Sequence, residues 1–290
     1  MHVAALALFF TSGFCGLLYE VVWIRAAGTV LGNTTHATGT VVAVYMAGLA
    51  LGARLGGSWA DRRSPGRGIV LYGALELGTA AAAMLVPFLL TAAEPLVGWG
   101  YRFLGEGHPA FLFLRAGAVA LILFPPTLLM GATLPALARF LAAGTPDPAR
   151  PTARAYAINT LGGAAGTLAA GFLLVPSLGL RATTWVAVAL NLAVAAAAFA
   201  LARCRGESDP AEARGFGAES ALPEKPVPLA ARLLVALGGA AALIYEIAWT
   251  RALVLSLGST VYAFTLILTA FMVGLAAGSA AAARLLPRVR

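Results

Sequence analysis

The chain has 290 residues, of which 60% are hydrophobic and only 11% charged, and its mean hydropathy is +0.85. An ordinary soluble domain carries about 25% charged residues, so a soluble enzyme, a nucleic-acid binder and a disordered tail are all excluded. The excess of basic residues, 20 Lys and Arg against 12 Asp and Glu, therefore reads as membrane topology rather than as a polyanionic partner.

A transmembrane helix needs about 20 mostly apolar residues. Eight stretches meet that length: 3–31, 37–59, 69–93, 111–138, 153–175, 182–202, 230–257 and 260–283. They lack the apolar/polar alternation of barrel strands, and backbone in lipid must bond to itself, so an all-α polytopic bundle is predicted. With the amino terminus in the cytoplasm, the exits of the even-numbered spans collect most of the arginines, among them Arg62, Arg63, Arg67, Arg139, Arg150 and Arg203. The opposite loops hold only Arg102 and Arg181. Both termini are then expected on the cytoplasmic side of a cell (inner) membrane. Pro125, Pro126 and Pro135 in the fourth stretch predict a kink. The segment 204–229, rich in Pro, Gly, Ser and charge, predicts a linker between a first membrane half (1–203) and the start of a second (230–290).

The halves are related by sequence. Residues 13–57 laid over 239–283 match at 16 of 45 positions, including YEVVWIR against YEIAWTR. Six spans separate the copies, an even number, so both copies cross in the same direction. A parallel repeat about an axis along the membrane normal is the expected arrangement. In a six-plus-six architecture four further spans are expected beyond Arg290.

Residues 57–67, GSWADRRSPGR, resemble the signature that major facilitator transporters carry between their second and third helices. That resemblance implies a cytoplasmic latch at Asp61, Arg62 and Arg67. A more specific resemblance is carried by GLLYEVVWIRAAGTVLGNTTHA, YMAGLALGARLGG, LYGALELG, PPTLLMGATLPALAR and YAINTLGGAAGTLAAGFLLVPSLGL, in that order. These are similar to the membrane region of the fused major facilitator/spermidine synthase family. The resemblance implies an MFS-like fold and an aminopropyltransferase-like domain downstream of the helices. No nucleotide-type strand–glycine loop–helix unit is present in this chain, and no nucleophile, general base or cofactor loop is identifiable. No catalytic residue and no cofactor are therefore expected within it. The scattered His2, His36 and His108 with Cys15 and Cys204 form no metal-ligand pattern.

Glu20, Glu76 and Glu246 lie well inside apolar spans, where an ionised side chain costs about 2.5–3.5 kcal/mol on insertion scales. Each needs a partner, a proton or a water-filled cavity. Two readings stay open. In one, Glu20 and Glu246, with Glu76 as a further candidate, line a central cavity flanked by Tyr19, Trp23, Tyr245 and Trp249 and receive a small cation such as a polyamine. In the other, these groups are structural, bonded between helices, and the membrane part only anchors a synthase. Arg54 and Arg115 are the expected charge partners of Glu20, whereas Arg25 and Arg251 snorkel toward the span ends. The bilayer, a small cationic substrate and the downstream domain or helices are the partners expected; nucleic acid is not.

Overall fold

In the computed structural model, residues 1–32, 34–64, 67–105, 107–143, 149–204, 228–258 and 260–285 are described. Most of the predicted linker, 205–227, lies outside them. The elements are α1 (His2–Leu31), α2 (Thr34–Asp61), α3 (Gly68–Leu104), α4 (Pro109–Leu141), α5 (Ala149–Leu168), a π-helical stretch Ala169–Leu174, α6 (Val175–Cys204), α7 (Leu229–Leu257) and α8 (Thr260–Leu285). The described residues are thus all-α. Seven helical runs are long and apolar enough to cross a membrane, so the chain is that of a membrane protein.

The difference from the eight predicted stretches lies in one place. Residues Arg150–Cys204 form a single helical run of 55 residues, where the sequence predicts spans at 153–175 and 182–202. As one straight helix this run would be about 80 Å long, far more than a hydrocarbon core of about 30 Å. It does not stay straight. Gly179 breaks the helical backbone with φ 77° and ψ 173°, a conformation that glycine reaches without a Cβ clash. Before the break, Gly162 packs on Phe10 and Gly166 on Phe14 of α1, so α5 runs parallel to α1. After it, Ala198 and Phe199 meet Gly73 while Asn191 meets Glu76, so α6 runs antiparallel to α3. Because α3 is itself parallel to α1, through Leu8 with Tyr72 and Ser12 with Glu76, the chain reverses at Gly179.

Helix α1 is the centre of the bundle. It buries sixteen residues spread around its circumference and packs against α2, α5 and α6. The closest pair, α2 with α4, is brought together by small residues. A Cβ on Gly52 would collide with the Leu128 carbonyl, one on Gly56 with Ala132, and one on Gly131 with the Leu49 backbone. Without a hydrophobic driving force between helices in lipid, such backbone approach and its dispersion contacts are what hold them. Gly274 and Gly278, spaced in the same way on α8, have no atom of another segment within 4 Å of such a Cβ. Helix α4 runs unbroken through Pro125, Pro126 and Pro135. The Thr127 hydroxyl donates to the carbonyls of Leu123 and Phe124 there.

The two helix ends that the repeat offset pairs are built alike. Gly32 ends α1 with φ 68° and donates to the Gly28 carbonyl; Gly258 ends α7 with φ 65° and donates to Val254. Their surroundings differ sharply, because α7 buries only Glu246 and Thr250.

Gly52→Ala is expected to overpack the α2–α4 seam and destabilise the protein by about 1–3 kcal/mol. Gly57→Ala, on the same helix with open space at its Cβ position, should be neutral or gain up to about 1 kcal/mol. Thermal unfolding of the two variants in one detergent checks both.

Candidate functional site

Three buried glutamates occupy two different kinds of environment. Glu20 on α1 is 0% exposed and Glu246 on α7 is 4% exposed, and the two carboxyls lie within electrostatic range of each other. Neither oxygen of Glu20 has a protein hydrogen-bond partner, and neither does Oε1 of Glu246. The expected pairing of Glu20 with Arg54 or Arg115 is not made. Arg54 is exposed on α2. Arg115 is held at the far end of α1, its guanidinium 4.3 Å from the centre of the Phe111 ring and close to Gly32. Twelve residues separate Gly32 from Glu20, about 18 Å of helix rise. Arg25 and Arg251 are both exposed.

The aromatic residues do not flank the carboxyls symmetrically. Tyr19 and Trp23 are buried and stacked, with centroids 5.1 Å apart and planes at 19°. Tyr245 and Trp249, at the matching positions of α7, are 59% and 55% exposed. Helix α7 meets the bundle along a narrow stripe that includes Leu243, Glu246 and Thr250, and at about 100° per residue positions 245 and 249 fall outside it. The same local sequence on α1 is enclosed because helices surround α1. Tyr45, which the sequence reading passed over, joins the enclosed set through a tilted contact with Trp23 and lies within electrostatic range of Glu20.

Glu76 is the opposite case. It is 1% exposed, and both of its oxygens accept. Ser12 Oγ of α1 donates to Oε1 at 2.5 Å, and Asn191 Nδ2 of α6 donates to Oε2 at 2.5 Å. The Tyr72 hydroxyl lies at the same knot and donates to the Leu8 carbonyl at 3.2 Å. One carboxylate thereby ties α1, α3 and α6 together. Sequence reading singled out Glu76 but not its donors. Asn191 carried a signal, being the one polar side chain in the run 185–202.

At the α2–α3 turn Asp61 meets a neighbouring helix end. Asp61 pairs with Arg139 of α4 at 3.6 Å, and Arg139 also donates to the Arg63 carbonyl at 3.5 Å. Arg62 and Arg67 are exposed. The partner of Asp61 comes from α4 because α2 and α4 are the most intimately packed helices and end side by side.

Toward the other end of the bundle a cavity of about 590 Å³ opens between α1, α3 and α6. Val22 and Trp23, Val86 and Leu90, and Leu180 are among its apolar walls, and it carries Glu94 and Arg181. By sequence Arg181 is only a loop charge, and Glu94 carries no distinguishing pattern. Among the described residues no group of three His, Cys, Asp or Glu side chains is arranged to hold a metal ion.

No family model matches the chain. Over 185 residues, 62% of its length, it is 32% identical to the polyamine aminopropyltransferases of Mycobacterium tuberculosis (strains CDC 1551 / Oshkosh and ATCC 25618 / H37Rv) and of Mycobacterium bovis (strain ATCC BAA-935 / AF2122/97). The alignment covers 32% of each of these proteins, so the chain spans about a third of the length of the curated relatives it matches.

The two classes of glutamate predict opposite responses. Asn191→Ala leaves a buried carboxylate oxygen without its donor and should cost about 1–3 kcal/mol of stability. Glu20→Gln removes a buried charge that no hydrogen bond compensates, and should leave the unfolding midpoint unchanged or higher. Thermal melts of the purified variants, side by side, decide this.

Proposed function

We propose that the chain is the membrane-spanning part of a polyamine aminopropyltransferase-like protein, and that its bundle carries a small organic cation across the membrane at the Glu20–Glu246 pair. The observation that carries the reading is the burial of two mutually interacting carboxyls whose oxygens are largely without protein donors. Two like charges within electrostatic range of each other at hydrocarbon depth would repel. A cation or proton between them removes that repulsion, which is why ionisable groups at such depth mark transport pathways. The stacked Tyr19–Trp23 pair beside Glu20 suits an ammonium group through its ring faces.

In this reading the chain crosses the membrane eight times, with Arg150–Cys204 counted as two crossings joined at Gly179. Residues 1–203 form a six-helix half, 204–229 a cytoplasmic linker, and 230–290 the start of a second half related by a parallel, MFS-like repeat. The membrane is the cell inner membrane, with both termini in the cytoplasm. The arginine distribution, the matched 13–57 and 239–283 segments and their two like-built glycine caps support this arrangement. The 32% identity to enzymes named polyamine aminopropyltransferase supports a polyamine as the cation.

A second reading has its own support. Glu76, the most completely bonded of the three glutamates, fastens three helices together, and the curated relatives are named for an enzyme activity. In that reading the helices anchor a synthase domain and move nothing.

Uptake of labelled spermidine into proteoliposomes holding the complete gene product, with and without a proton gradient, separates the two. The transport reading expects Glu20→Gln and Glu246→Gln each to lower uptake per protein molecule at least tenfold at normal yield. Uptake that is absent in the wild type, or unchanged in both variants, leaves the anchor reading standing.

A further inference from the structure

The cavity between α1, α3 and α6 has a polarity of its own. Along α3 it extends from Val86 to Glu94, about 12 Å of helix rise. Its charged residues gather at one end. Glu94 closes the α3 wall there, and Arg181 stands just after the Gly179 break in α6. The three threonines of the lining are already satisfied within their own helices: Thr29 donates to Ala26, Thr91 to Pro87 and Thr184 to Leu180. The middle of the cavity is therefore apolar, and its end presents one acid and one base.

Glu94 and Arg181 are not joined by a salt bridge, unlike Asp61 and Arg139. Both are exposed, and they share one cavity rather than one contact. Arg115 lies on the other side of Glu94, in an adjoining cavity of about 390 Å³, where its guanidinium covers the Phe111 ring. Phe88 lines the larger cavity, and the surface of the same two helices is apolar: Leu85, Phe88 and Leu89 of α3 and Trp185 and Leu192 of α6 are all at least 42% exposed. In a membrane protein such a surface faces acyl chains.

We propose that this cavity is a phospholipid site, selective for a headgroup that carries a phosphate and a primary ammonium. Arg181 takes the phosphate, as a guanidinium fork matches phosphate oxygens. Glu94 accepts hydrogen bonds from the ammonium. An acyl chain lies along Val86, Leu90, Val22 and Leu180 toward the middle of the bundle, covering Trp23. The occupant is a membrane lipid and not a soluble zwitterion, because the charged end faces the helix ends and the apolar length runs inward, the order in which a bilayer presents a lipid. The site borders the Glu20–Glu246 pair at Trp23 but shares none of its charges, and its headgroup selectivity does not depend on that reading.

The test is native mass spectrometry and thermal unfolding of the delipidated full-length protein with phosphatidylethanolamine, phosphatidylcholine, phosphatidylglycerol or phosphoethanolamine alone. Phosphatidylethanolamine should be retained at least tenfold better than phosphatidylcholine, whose quaternary ammonium donates no hydrogen bond, and should raise the unfolding midpoint. Glu94→Gln should abolish that preference, Arg181→Gln should lower retention of both lipids at least tenfold, and Arg115→Gln should change neither. Ala26→Leu, which narrows the cavity without touching a charge, should lower retention of all three lipids. Equal retention of the three lipids by the wild type would overturn the proposal. So would wild-type behaviour of both Glu94→Gln and Arg181→Gln, or an equal thermal shift from phosphoethanolamine.

Discussion

Inside a bilayer no water is available to satisfy a polar atom, so each one must find its partner within the protein or remain at a cost of several kcal/mol. That constraint sorts the three buried glutamates. Glu76 meets it through Ser12 and Asn191, one donor for each oxygen, and in doing so fixes α1, α3 and α6 in register. Neither oxygen of Glu20 meets it with a protein donor, and Oε1 of Glu246 does not either. A chain that can place an asparagine and a serine around one carboxylate has the means to do so around another. That contrast sets Glu76 apart as part of the scaffold, and it is what the proposed ligand reading of the pair rests on.

The scaffold is held by contacts of a kind that lipid favours. Where α2 crosses α4, glycines on both sides let backbone meet backbone, and the Asp61–Arg139 pair closes the same seam at its end. On α1 the device is similar. A Cβ at Gly13 would collide with the Asn159 carbonyl, so only glycine fits there, and the Asn159 side chain in turn donates to the Phe9 carbonyl at 3.0 Å. These contacts explain how α1 is enclosed along most of its length, and hence why Tyr19, Glu20 and Trp23 are shielded from lipid.

Much of this was legible in the sequence, for a definite reason. The length of an apolar run is set by the thickness of the hydrocarbon, so most spans emerged within a few residues of the helices, although α3 runs to Leu104 rather than 93 and Arg150–Cys204 is one run where two spans are expected. The ionisable residues that matter stood out because few others share their setting. What the sequence did not show was which partner each would meet. Asn191 is 115 residues from Glu76, and Arg139 is 78 residues from Asp61. Neither separation follows a helical period, so only the packed bundle reveals the pair. The motif shared by YEVVWIR and YEIAWTR is an equally clear case. Identical spacing gives identical geometry on the helix, yet exposure depends on how many neighbours surround that helix. Glu94 was missed because an acid near a span end is the ordinary place for one, and only its shared cavity with Arg181 distinguishes it.

Helix α7 carries the argument one step further. It buries a glutamate and a threonine while exposing Leu233, Leu234, Val235, Leu237, Ile244 and Trp249, the reverse of a helix amphipathic toward water. Exposed leucine is costly in water and costs nothing in hydrocarbon, whereas a carboxylate turned toward lipid at the helix centre costs about 2.5–3.5 kcal/mol. The rotation of α7 about its own axis is therefore set by the Glu246–Thr250 stripe, with the Thr250 hydroxyl already donating to the Glu246 carbonyl at 2.7 Å. Turning Glu246 inward lowers that cost but brings it into the field of Glu20. The two demands are reconciled when one carboxyl holds a proton or a cation lies between the two, and the proposed transport reading builds on the second of these.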